Sequence, residues 1–259
     1  MRIGIFDSGI GGLAVLHHAM KNFPDAEYIY YADEKNVPYG EKKEEQVKGF
    51  VEEILDFLVK KEVDAIIIAC NTATSVSTKE FREQFPVPII GMEPAVKKAV
   101  EMYGDSGKRI LVTATPITIA GDKLHNLVER VDHKKVTDLI PLPGLVRFAE
   151  KGEFASADVE EYLKRTLEQF DLSEYEAVVL GCTHFNYFKE QFRSIFPGEI
   201  HFVDGNEGTV QQLIRMLPKD TKKTTNKVEF YFSGEAVNEH EMKKIEECLE
   251  QLDKVYMIK

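Results

Sequence analysis

The chain has no apolar stretch approaching the roughly 18 residues that a membrane span requires. Met1-Arg2-Ile3 runs straight into an aliphatic segment rather than a secretory leader. A cytoplasmic protein with no membrane contact is therefore expected. Cysteine is scarce: three in 259 residues make no disulfide framework, and no Cys-x-x-Cys pair of the redox kind occurs. Excess positive charge is also missing. Lys and Arg number 33 against 44 Asp and Glu, for a net charge of −11, and without a basic surface nucleic acid is excluded as a partner. No lysine stands in a pyridoxal-phosphate setting. What remains is an ordinary globular composition, 43% hydrophobic and 30% charged, long enough for one large or two modest domains.

Two of the three cysteines sit in matching surroundings. Asp64-Ala65-Ile66-Ile67-Ile68-Ala69-Cys70-Asn71-Thr72-Ala73 and Glu176-Ala177-Val178-Val179-Leu180-Gly181-Cys182-Thr183-His184 both read acid, alanine, aliphatic run, small residue, cysteine, polar turn. A buried strand that ends at cysteine puts the sulfur at the carboxyl edge of a parallel sheet, where open α/β proteins bind ligands. A helix beginning there favours thiolate through its N–H groups and dipole. Taken singly, each cysteine also reads as an inert core thiol. Taken as a repeated pair, they suit proton transfer at the two faces of one carbon. Cys248, inside an amphipathic stretch, reads as structural.

Strand and helix signals alternate along the chain. Strands are predicted at 2–6, 28–32, 65–69 and 87–91, with helices over 12–22, 42–61 and 75–84 between them. A second cycle opens at Arg109-Ile110-Leu111-Val112-Thr113. It continues with a helix over 122–131, a strand at 137–141, a helix over 156–170, a strand at 177–181, a helix over 187–195 and a strand at 200–203. A helix over 209–217, a strand at 227–232 and a final helix over 239–252 are too short for a domain of their own. The predicted fold is α/β, with two similar parallel-sheet domains: 1–97 plus 209–259, and 98–208.

Gly9-Ile10-Gly11-Gly12-Leu13-Ala14 matches the dinucleotide fingerprint, with Glu27 and Asp33 downstream, and would support a nicotinamide-dependent oxidoreductase. However, Asp7 and Ser8 stand between strand and glycines, where a carboxylate would repel a pyrophosphate. The same glycines can instead offer N–H groups to a carboxylate. Asp7 and Ser8 are equally compatible with helix capping. His184 reads either as a core histidine or as an acid/base partner of Cys182.

Asp7-Ser8-Gly9-Ile10-Gly11-Gly12, Pro38-Tyr39-Gly40, Cys70-Asn71-Thr72-Ala73 and Gly181-Cys182-Thr183-His184, in this order over nearly the whole chain, resemble the motifs of the glutamate racemases. These belong to the cofactor-independent aspartate/glutamate racemase superfamily. The resemblance implies two α/β domains about a pseudo-twofold axis with the active site in the cleft, no cofactor and no metal. It also implies L- or D-glutamate as substrate, a role in peptidoglycan synthesis, and a homodimer, since relatives often dimerise. By position, Cys70 and Cys182 resemble the two acid/base thiols, Cys70 serving D-glutamate and Cys182 L-glutamate. Asp7 and His184 resemble their polar assistants, and Glu150 the acid that supports the histidine. Ser8, Pro38, Tyr39, Gly40, Asn71, Thr72, Thr115, Thr118 and Thr183 resemble the substrate-binding set, to which Asp7, Cys70, Cys182 and His184 also belong. Phe185-Asn186-Tyr187 departs from the Tyr-Pro-Leu of many relatives, and Ile119-Ala120-Gly121-Asp122 lacks their usual Ser and Tyr. An aspartate racemase, a nicotinamide oxidoreductase and a non-catalytic two-lobed binding protein stand as the alternatives.

Overall fold

The computed structural model describes residues 1–92, 94–217 and 227–258. Within the span expected for the first domain, residues 93, 218–226 and 259 lie outside this description.

The strands are β1 (Arg2–Asp7), β2 (Glu27–Ala32), β3 (Ala65–Ile68), β4 (Ile89–Gly91), β5 (Arg109–Ala114), β6 (Thr137–Pro141), β7 (Tyr175–Leu180), β8 (His201–Val203), β9 (Val228–Phe232) and β10 (Glu235–Ala236). They form two sheets, in the orders β10-β9-β2-β1-β3-β4 and β6-β5-β7-β8. Every described pairing is parallel except β9 with β10. The order β2-β1-β3-β4 is repeated strand for strand by β6-β5-β7-β8. This gives the weak sequence repeat a topological counterpart, and Cys70 and Cys182 follow equivalent strands.

The central strands are near-continuous apolar runs because helices cover both sheet faces. Ile3, Ile5, Phe6, Ile66, Ile67, Ile68, Val178 and Val179 are all fully buried. Helix Glu44–Lys60 buries Val47, Val51, Ile54, Leu55 and Leu58, a stripe at helical spacing. Glu44 and Glu45 in its first turn and Lys60 in its last complement the helix dipole. The expected helix over 75–84 is instead two short ones. Asn71–Val76 starts directly at Cys70, and Lys79–Arg82 is capped by the Thr78 hydroxyl, which accepts from the Phe81 N–H at 3.2 Å. The helix expected over 187–195 is a 3-10 segment, Thr183–Phe188, followed by the α-helix Lys189–Ile195. Helices Val96–Tyr103 and Pro143–Glu150 were not anticipated.

The chain end returns to the first sheet, as β9 pairs with β2 in parallel from Tyr28↔Val228 to Ala32↔Phe232. Helix Glu239–Val255 opens on a reciprocal cap. The Asn238 side chain accepts from the N–H groups of His240 and Glu241, and Glu241 accepts from the Asn238 N–H at 2.8 Å. This helix touches both halves. Asp253 meets His17 at 2.9 Å, and Gln251 donates to the Tyr187 carbonyl at 3.2 Å. Cys248 is a buried core residue on its inner face, as expected. Among the described residues no helix is long and apolar enough to cross a membrane.

Ile67 lies at the centre of the first sheet, fully buried. Ile67→Ala should lower unfolding stability by about 2–5 kcal/mol, the usual cost of such a core cavity. The drop would be read from the urea midpoint of the far-ultraviolet circular dichroism signal, and a change under about 0.5 kcal/mol would contradict this packing.

Candidate active site

Asp7 ends β1, and β1 lies beside β3, whose end carries Cys70. The Cys70 sulfur accepts from the Ala73 N–H at 3.5 Å, so the thiol caps the helix it precedes. It also lies 3.7 Å from the Ser8 hydroxyl. Ser8 Oγ donates to Asp7 Oδ1 at 3.3 Å, and the Gly9 N–H donates to the same oxygen at 3.2 Å. Burial and the neighbouring Asp7 carboxylate push the Cys70 thiol well up, against the Ala73 and Ser8 contacts. Cys70 therefore rests as a thiol. Burial likewise raises Asp7 to about 6, opposed by His184, the Gly9 N–H and the Thr183 hydroxyl.

The second thiol has a different partner. The Cys182 sulfur lies 3.7 Å from His184 Nδ1, and His184 Nε2 lies 2.6 Å from Glu150 Oε1. Burial opposes a charged imidazole, but the bonds to Cys182 and Glu150 outweigh it and hold His184 well above its ordinary value. Glu150 also feels burial. Its bond to His184, the charges of His184 and Lys244 and the Ile10 N–H nonetheless keep it below its ordinary value. A protonated imidazole is thus clamped between the Glu150 carboxylate and the Cys182 sulfur.

One hydrogen bond joins the two sets: Thr183 Oγ1 donates to Asp7 Oδ2 at 3.0 Å. A second seam is a row of hydroxyls. Thr72 Oγ1 and Thr115 Oγ1 are 2.9 Å apart, Thr115 and Thr118 3.0 Å. Gly40 packs against this row, since a Cβ there would come within 2.6 Å of the Thr115 Cβ. Asn71 and Thr118 line an adjoining cavity of about 650 Å³. Pro38, after a cis peptide bond, sets the entry to Tyr39-Gly40. The Tyr39 hydroxyl is turned to Asp33 Oδ2 at 2.6 Å. Asp33 also accepts from Asn36 and Ser233, so it serves this turn rather than a ribose.

The glycine motif offers N–H groups to carboxylates, as one of the two readings from sequence had it, and the carboxylates are the protein's own. The Gly9 and Ile10 N–H groups are taken by the Asp7 and Glu150 carboxylates. A Cβ on Gly9 would overlap Glu150, one on Gly11 would overlap His184 and lie 2.5 Å from Thr183 Oγ1, and one on Gly12 would lie 2.5 Å from the Asp7 Cβ. Glycine here lets the two halves touch. Within Phe185-Asn186-Tyr187, Tyr187 serves the same contact by donating to the Ile10 carbonyl at 2.8 Å, while Asn186 donates inside its own segment to the Thr183 carbonyl at 3.0 Å.

Sequence reasoning missed Lys244 and Glu34. Lys244 Nζ lies 3.3 Å from Glu150 Oε2 and 3.2 Å from both Glu34 oxygens. Neither residue carries a motif signal, because each is remote in sequence from the pair it touches. Among the described residues no group of three or more His, Cys, Asp or Glu side chains could hold a metal ion.

Known proteins share this arrangement of sequence and fold. The Asp/Glu/Hydantoin racemase family model matches residues 13–213. A glutamate racemase from Lachnospira eligens is 48% identical over the full length of both chains. One from Campylobacter concisus is 49% identical, again over the full length of both. The solved structure of the Francisella tularensis glutamate racemase in complex with D-glutamate superposes with a TM-score of 0.78 at 28% identity, covering 96% of this chain and 93% of that one. The chain belongs to the Asp/Glu/Hydantoin racemase family and, within it, to the glutamate racemases.

Proposed function

We propose that this chain interconverts L- and D-glutamate without a cofactor, with Cys70 and Cys182 as its two acid/base thiols. The observation that carries the reading is the pair of thiols at the ends of equivalent strands, held in one site by the Asp7–Thr183 hydrogen bond. Their partners differ in a way that suits opposite starting protonation. Cys182 faces an imidazolium, and Cys70 is buried beside a carboxylate. With L-glutamate bound, the Cys182 thiolate takes the α-proton from one face, and the Cys70 thiol delivers its own proton to the other. The charge state of the thiols is then reversed, and the enzyme is set for D-glutamate. Asp7 and the Glu150–His184 pair hold each sulfur in register and take up the change of charge.

Ser8, Tyr39, Gly40, Asn71, Thr72, Thr115, Thr118 and Thr183 form the substrate-binding set in this reading, through hydroxyls, the Asn71 amide and backbone N–H groups, with Pro38 shaping the turn that carries Tyr39 and Gly40. The thiols are 5% and 6% exposed, so substrate enters when the units 1–97 plus 209–259 and 98–208 move apart, and closure then excludes water from the carbanion-like transition state. Three free cysteines fit a reducing cytosol, where D-glutamate would supply peptidoglycan synthesis.

Purified protein should racemise L-glutamate to zero optical activity after treatment with EDTA and hydroxylamine, followed by circular dichroism. Activity that appears only on adding a nicotinamide, a metal or pyridoxal phosphate would sink the reading. Cys70→Ser and Cys182→Ser should each lower kcat by at least roughly 10²–10⁴-fold, the contribution of a positioned acid or base, with the far-ultraviolet spectrum unchanged. Near-wild-type turnover in either variant would remove that thiol from the mechanism.

A further inference from the structure

We propose that Lys244 is a positioning residue for the Glu150–His184–Cys182 chain, so that the acid-side pH limit of racemisation is set from the terminal helix. This rests on the function proposed above. Glu150 uses Oε1 for both His184 (2.6 Å) and the Ile10 N–H (3.0 Å), leaving Oε2 to Lys244 (3.3 Å). The ammonium thus fixes the rotation of the carboxylate that holds the imidazole. Lys244 is itself fixed. Its helix is capped at Asn238 and tied to the second half by Gln251, and its ammonium stands 6.0 Å from the centre of the Phe232 ring.

Glu34 shares this clamp. Both of its oxygens lie 3.2 Å from the same ammonium, so two carboxylates divide one cation. The side chains are 28%, 23% and 13% exposed for Lys244, Glu34 and Glu150, which leaves their mutual interaction only partly screened. Burial and the charge on Glu150 raise Glu34 to about 7, against the pull of Lys244. The other ionisable groups around the cluster are His184 and Tyr187 on the Thr183–Phe188 segment, Asp7 on β1, Tyr30 on β2 and Cys248 on the helix of Lys244.

The sign of each substitution follows. Lys244 favours the ionised form of both carboxylates. Without it the pair binds a proton at higher pH, and Glu150 loses its hold on His184 sooner as pH falls. Glu34, raised to about 7, takes its proton before Glu150 does, so its charge is already gone where Glu150 is protonated. Lys244→Met should therefore move the acid limb of the kcat/KM profile up by about one pH unit, whereas Glu34→Gln should leave it in place. Lys244→Met with Glu34→Gln should match Lys244→Met, and Lys244→Arg should keep the wild-type limb. The enantiomers have equal free energy, so kcat/KM must fall equally in both directions, which checks the assay internally.

The test is that set of pH profiles on the full chain, with circular dichroism of each variant as the folding control. A limb raised in Lys244→Met and unmoved in Glu34→Gln and Lys244→Arg supports the proposal. An unmoved limb in Lys244→Met, or one that moves in Glu34→Gln or Lys244→Arg, overturns it. Should Lys244→Met not fold, Lys244→Gln is read in its place. Absence of racemisation by the wild type would instead defeat the functional reading on which the proposal rests.

Discussion

The close approach of the Gly9–Gly12 loop to the Glu150–His184 pair is the constraint on which the rest of the site depends. Gly9 and Gly11 leave room for Glu150, His184 and Thr183 across the boundary between the two sheets, and Gly12 leaves room for Asp7 beside them. The Asp7–Thr183 bond follows from that approach. So do the Ile10 N–H donated to Glu150 and the Tyr187 hydroxyl donated to the Ile10 carbonyl. A methyl group on Gly11 would separate these groups and, with them, the environments of the two thiols. The loop is a contact between the two halves.

From this contact the two thiols acquire different chemistry despite equivalent strand positions. Cys70 sees a serine hydroxyl, a helix N–H and a buried carboxylate. Cys182 sees a histidine that a second carboxylate holds protonated. A topological duplicate with matched surroundings would favour the same protonation state at both sulfurs. The observed surroundings are instead unlike, a buried carboxylate near one sulfur and an imidazolium beside the other, and the proposed inversion needs one acid and one base.

Much of the fold was legible because buried parallel strands announce themselves as aliphatic runs. Ala65–Ile68 and Tyr175–Leu180, each ending near a cysteine, were read directly. The helix Pro143–Glu150 was not, because Pro141-Leu142-Pro143-Gly144 has the composition of a turn, yet Pro143 sits at the first helical position where its missing N–H costs nothing. That helix carries Glu150, so its position was supplied by resemblance alone. The helix expected over 75–84 broke because Cys70 itself caps an earlier start and Thr78 caps a new one. Lys244 and Glu34 stayed hidden for a different reason. Their partnership is made by β9 and the terminal helix returning to the first sheet, and a contact between residues so distant in sequence leaves no local pattern.

The central claim is that two thiols act on opposite faces of one carbon, and isotope transfer from solvent tests it most directly. L-Glutamate converted in D₂O over less than one turnover should give D-glutamate fully deuterated at the α-position, because the delivered proton comes from a solvent-exchanged thiol. The unreacted L-glutamate should still carry protium. Mass spectrometry of the separated enantiomers reads both. Undeuterated D-glutamate from a single turnover would mean that one base removes and returns the same hydrogen, and the two-thiol account would fail.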